Sequence, residues 1–103
     1  MKTKFSKHMI EDRMERYATI ATKVGFGEVI FSTIREPDGR VTERRLLQMT
    51  STGVCIVRSM DDVVITMFCA TISITKCYFP NQELSPALVR TIRFNERKGY
   101  CNI

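Results

Sequence analysis

Gly53-Val54-Cys55-Ile56-Val57-Arg58, then Ser59-Met60-Asp61-Asp62, then Val63-Val64-Ile65-Thr66-Met67-Phe68-Cys69, is the stretch on which the fold turns. Two runs rich in β-branched residues flank four residues of turn chemistry. So short a connection makes the two runs antiparallel neighbours. The same pattern stands upstream, where Glu28-Val29-Ile30-Phe31-Ser32-Thr33-Ile34-Arg35 leads into Glu36-Pro37-Asp38-Gly39, a turn with Pro at its second position. The return run is Val41-Thr42-Glu43-Arg44-Arg45-Leu46-Leu47-Gln48-Met49. Together these predict a four-stranded antiparallel meander.

The flanks change period. Over residues 7–23, Ile10, Met14, Tyr17, Ala21 and Val24 recur at three- and four-residue steps, which predicts an amphipathic helix started by Ser6 and stopped at Gly25. Beyond the meander, Ile72 and Ile74 alternate with Thr71, Ser73 and Thr75, which favours a fifth strand over residues 71–79 against a short helix capped by Thr71. Ser85-Pro86 then supplies an N-cap and an N1 proline for a second helix. It buries Leu88, Val89 and Ile92 and ends at Lys98-Gly99. The expected fold is a single α+β domain over residues 1–103: N-terminal helix, four- or five-stranded antiparallel meander, C-terminal helix. Edge pairing through 63–69 or 71–79 leaves monomer and homodimer both open.

A length of 103 residues leaves room for one hydrophobic core, which excludes a two-domain cofactor enzyme. With 44% hydrophobic and 26% charged residues the composition is that of a globular protein, not a disordered one. No apolar run approaches the ~18 residues of a membrane span. The basic N-terminus has no apolar stretch behind it, so a cytoplasmic protein without a membrane partner is expected. Cys55, Cys69, Cys77 and Cys101 form no Cys-x-x-Cys pair and read as reduced thiols. Neither a metal nor a cofactor is expected.

The net charge of +5 is unevenly spread. Residues 1–23 hold six Lys/Arg against three acids and residues 85–103 four against one, while the sheet between them is close to neutral. Near the first end stands the only histidine, His8, with Arg13 and Arg16 one to two turns along. A neutral imidazole can exchange protons at cellular pH, and guanidinium groups can hold the charge of a phosphorane. This is the chemistry of metal-independent RNA transesterification. Near the other end Arg90, Arg93 and Arg97, with Lys98 closing the helix and Phe94 beside them, suit a nucleic-acid-binding face with an aromatic for base stacking. Docked on one side of the sheet, the two helices would form a single arginine-rich surface around His8. Docked on opposite sides, they would deny an enzyme its convergent site.

Lys7-His8-Met9-Ile10-Glu11-Asp12-Arg13-Met14-Glu15-Arg16, together with Thr52-Gly53-Val54-Cys55-Ile56-Val57 and Asp61-Asp62-Val63-Val64-Ile65-Thr66-Met67-Phe68, resembles small mobile-element proteins of the RelE/barnase-like, toxin-type ribonuclease fold. The resemblance covers roughly residues 6–70. It implies an endoribonuclease acting on RNA, with His8 as acid/base, Arg13 and Arg16 as phosphate clamps and Thr66 as a hydroxyl facing the site. Arg13 follows His8 by five positions where the group pattern is nearer four, and Phe68 stands where a tyrosine hydroxyl would be needed. These departures leave open a protein that kept the fold and lost catalysis. That alternative is a mobile-element or phage-encoded binding or inhibitor module contacting nucleic acid or a nucleic-acid-processing protein. The partners expected are RNA or another nucleic acid, or a protein such as an antitoxin or a target enzyme.

Overall fold

The computed structural model describes residues 4–102. Its centre is one five-stranded sheet in the order β1-β5-β4-β3-β2, where β1 is Lys4–Phe5, β2 Val29–Arg35, β3 Arg45–Thr50, β4 Val54–Ser59 and β5 Val63–Cys69. From β2 to β5 it is the expected antiparallel meander, with Leu47 opposite Val57 and Val57 opposite Thr66. The class is α+β. The fifth strand is not the expected one. β1 pairs parallel to β5, Lys4 beside Val63 and Phe5 beside Val64, so the sheet is mixed.

Residues 71–79 form a helix, α3 (Ile72–Tyr78), and not a strand. Thr71 Oγ1 accepts from the Ile74 amide at 3.1 Å, an N-cap, and Glu96 Oε1 accepts from the Ile72 amide at 2.9 Å. Two free amides at the start of a short helix are thereby satisfied, which outweighs the alternating apolar pattern. The third strand also starts late: residues 36–44 form a loop. There Asp38 Oδ1 accepts from the amides of Arg40 and Val41 at 2.7 and 2.8 Å, and Asp38 Oδ2 takes the Arg35 guanidinium at 3.0 Å.

The N-terminal helix is broken. α1 (Lys7–Asp12) stops at Arg13, whose φ of −128° leaves the helical region. α2 (Met14–Thr19) resumes, and the chain closes through a π-helical turn, Ile20–Val24. Ser6 fixes the entry: its amide donates to the Val64 carbonyl at 2.8 Å, while its hydroxyl caps the Met9 amide and donates to the Ile65 carbonyl at 3.3 Å. With that anchor and the break at Arg13, the helix presents Met9 and Ile20 inward with Tyr17 and Val24 half-buried. Ile10, Met14 and Ala21, expected inside, are exposed.

Both sheet faces are covered, one chiefly by the N-terminal helices, with Tyr100 and Cys101 joining them, and the other by α4. Met9 and Ile20 pack with Val54, Ile56, Val64, Met67 and Cys69. Leu88 and Ile92 of α4 (Pro86–Arg97) pack with Leu47, Met49, Cys55 and Val57 on the other face. Alternate residues of β4 thus serve opposite cores. The consequence for function is direct: the N-terminal helices and α4 lie on opposite sides of the sheet. Among the described residues no helix is long and apolar enough to cross a membrane.

Candidate nucleic-acid interface

α4 begins as its sequence dictates. Ser85 Oγ accepts from the Leu88 amide at 3.1 Å, and Pro86 occupies the first turn, where a missing amide costs nothing. One side of the helix carries Leu88, Ile92 and Asn95, all buried. Asn95 Nδ2 donates to the Thr52 carbonyl at 2.9 Å, tying α4 to the β3–β4 turn. Gly53, at φ +82°, lets the helix come close, since a Cβ there would sit 3.0 Å from Asn95 Nδ2 and 3.3 Å from Ile92 Cγ1. The docking orients the rest of the helix outward.

The outward side holds Arg90, Arg93, Arg97 and Lys98, all exposed, around Phe94, which is itself 47% exposed. At about 100° per residue, Arg90, Arg93, Phe94 and Arg97 fall within an arc of roughly 100°, opposite the buried stripe. Lys98 Nζ lies 5.6 Å from the Phe94 ring centroid. None of these four cations has a carboxylate partner among the described residues. Ion pairs among the described residues involve Lys7, Arg35, Arg44 and Arg58 instead, and His8 lies against Asp12. Glu96, the one acid of α4, is turned to the Ile72 amide. Charge left unneutralised beside an exposed ring is an electrostatic footprint for an anion that also stacks.

Beside this strip an open groove of about 560 Å³ runs between α3 and α4, its walls including Ile72, Phe79, Leu84 and Val89 and its cations Lys76 and Arg93. Lys76 belongs to the basic surface and was invisible to sequence reasoning, because a strand over 71–79 would place it elsewhere. Only the capping pattern at Thr71 could have signalled it. A smaller cleft of about 370 Å³ on the other face is walled by Phe5, Tyr17 and Phe26. Its one cation, Arg58, is already engaged by Gln48 Oε1 at 2.7 Å and by Asp62 Oδ1 at 3.3 Å.

The His8 group is arranged differently. His8 Nδ1 lies 3.1 Å from Asp12 Oδ2, one helical turn away, with both side chains about half exposed. Arg13, at the helix break, donates through Nη1 to the Asp12 carbonyl at 3.3 Å. Arg16 is half-buried, and its pKa is lowered by that burial and by the neighbouring charge of Arg13, with Cys69 opposing. Thr66 sits directly opposite Val57, which belongs to the α4-side core. His8, Arg13 and Arg16 are therefore near one another along α1 and α2, whereas Thr66 faces the far side of the sheet. Arg90, Arg93, Arg97 and Lys98 are also on that far side. The cysteines are free; burial pushes the Cys55 thiol up to about 12 and, with Cys101 adding to the effect, the Cys69 thiol up to about 11, so neither is a ready nucleophile. No family model matches the chain, and neither does any curated protein or solved structure.

Proposed function

We propose that the protein is a non-catalytic binding module that takes single-stranded nucleic acid on the outer face of α4. One observation carries this: an exposed phenyl ring, Phe94, set among Arg90, Arg93, Arg97 and Lys98, none of them paired with a carboxylate among the described residues. An unpaired base stacks on the ring, and the guanidinium forks meet the flanking phosphates two oxygens at a time. A duplex keeps its bases inside the stack and gains only the phosphate contacts. The acid/base reading of His8 asks Arg13, Arg16 and Thr66 to converge on one phosphate, and the sheet stands between Thr66 and the other three.

Fluorescence anisotropy with a labelled single-stranded oligonucleotide and its duplex tests the proposal. The single strand is expected to bind more tightly, and Phe94→Ala to weaken it by about 5- to 150-fold, the equivalent of ~1–3 kcal/mol for one stacked base. Phe94→Tyr should retain most of the affinity. Equal affinity for both strands, or indifference to Phe94→Ala, would defeat the stacking role. RNA incubated with the protein in chelator is expected to stay intact. Cleavage that vanishes in His8→Ala would instead make the protein a metal-independent endoribonuclease.

A further inference from the structure

The groove between α3 and α4 is walled symmetrically. On α3, Ile72 and Lys76 stand one helical turn apart, and on α4 Val89 and Arg93 do the same, so each wall brings an apolar residue and a cation. Phe79 and Leu84 add apolar surface, and Gln82 lies at the turn between the helices. Two hydrogen bonds hold this shape. Glu96 Oε1 of α4 accepts from the Ile72 amide of α3 at 2.9 Å, and the Gln82 amide donates to the Phe79 carbonyl at 3.0 Å. The space between the walls, about 560 Å³, is that of a small-ligand site. Lys76 and Gln82 are exposed, and neither side chain has a hydrogen-bond or ion-pair partner among the described residues.

We propose that the groove holds a second base of the same single strand, a neighbour of the base stacked on Phe94; this rests on the α4 interface proposed above. Three observations select that occupant. Arg93 belongs to both places, lining the groove and preceding Phe94 by one residue, about 100° round the helix. Its guanidinium therefore lies between the two bases, where the phosphate that links them needs a cation. The chemistry of the groove also matches a base: apolar walls for its faces, the Lys76 ammonium as a donor and the Gln82 amide as both donor and acceptor for its edge. Finally, the groove is open along one side, as it must be for one unit of a chain that continues outside it. An acyl chain in the same place would stay partly wet and would leave Lys76 or Arg93 without an anion.

The test uses the full chain and a single-stranded oligonucleotide carrying a photoactivatable thio-base at every position, cross-linked by light and mapped by peptide mass spectrometry. Adducts are expected in two separate segments, residues 76–84 and the part of α4 around Phe94. In anisotropy titrations Gln82→Ala should weaken binding about 2- to 12-fold, the worth of one hydrogen bond. Phe94→Ala should act on top of it by its full factor, because the two variants disturb different bases. Lys76→Glu, also at an exposed position, serves as the second variant should Gln82→Ala disturb the turn, with circular dichroism as the control for folding. Adducts confined to α4, or an affinity that both groove variants leave unchanged, would overturn the groove assignment while Phe94-dependent binding stands; a groove reserved for an acidic peptide would give that result. A protein that binds no single strand, or binds it without regard to Phe94, loses the interface and the groove assignment together.

Discussion

Removing Arg90, Arg93 and Arg97 together should flatten the salt dependence of nucleic-acid binding, by an amount that follows from the geometry. From Arg90 to Lys98 the rise along the helix is about 12 Å, enough for the four exposed cations to contact neighbouring phosphates of one strand. Each neutralised phosphate of a single strand contributes about −0.7 to the slope of log K against log salt. Four contacts give a slope of about −2.8, which is an affinity loss of about 50-fold between 50 and 200 mM salt. The triple alanine variant keeps Lys98 alone, so its slope should fall to about −0.7 and its loss to about 3-fold. Folding is a separable matter. The three arginines are exposed and carry no ion pair among the described residues, so their removal should change stability by no more than about 0.5 kcal/mol. The assay is anisotropy titration of one labelled oligonucleotide at four or five salt concentrations, with thermal melts as the control. A slope that the triple variant leaves unchanged, in a protein that melts as the wild type does, would refute the assignment of this face.

Three further outcomes are expected. Asn95→Ala removes a buried side chain whose amide satisfies the Thr52 carbonyl at 2.9 Å, and should cost about 1–3 kcal/mol in a urea titration; a smaller effect would mean that α4 is held by Leu88 and Ile92 alone. Among the thiols, Cys77 is exposed while Cys55 and Cys69 are buried, so a disulfide-exchange reagent at pH 8 should label Cys77 first. Cys55 and Cys69 should react only on unfolding, and rapid labelling of either would contradict the packing. Asp38 is held well below the usual carboxylate range, first by the amides of Val41 and Arg40 and then by Arg35. Its folded-state pKa lies below its unfolded one, so its contribution is fully present above about pH 4 and is lost as the pH falls further. The stability gap between wild type and Asp38→Ala should therefore hold constant from pH 7 to about 5 and narrow below about 4. A gap that widens with acid would be the wrong sign.

Placing the two basic ends on opposite faces has a mechanistic consequence beyond the loss of a shared His8 surface. The α4 strip is built on a helix locked by Asn95 and by the close approach over Gly53, so its cations project from a rigid base. The His8 end is looser in design: a helix broken at Arg13, an exposed His8–Asp12 contact, and exposed Ile10 and Met14. Exposed side-chain contacts of that kind are worth little in water. Preorganisation is the physical reason the proposal places binding on the α4 face.

Much of this architecture is legible residue by residue, because the signals involved are local. The β3-β4-β5 meander follows from period-two runs and short turns, and α4 from Ser85-Pro86, whose capping bond spans three residues. Two of the errors share one cause. Residues 71–79 alternate as a strand would, but Glu96, 24 positions away, supplies a cap that makes them helical. The face of the N-terminal helix shifts because Ser6 is anchored to Ile65, 59 positions away, and Arg13 interrupts the turn. The fifth strand, two residues long, is too short for any periodicity to show.

Sequence by itself determined the α+β class, the meander, the helix at Pro86–Arg97 and the presence of four cations around Phe94. Those properties depend on side-chain period, caps and turn residues, each acting within a few positions. Only the tertiary structure decided that the N-terminal helices and α4 cover opposite sheet faces, and hence that His8 and the α4 arginines stand apart, that Glu96 faces inward, and that β1 joins β5 at Val63 and Val64. Such facts depend on contacts between residues tens of positions apart, where closing a chain loop has no local signature.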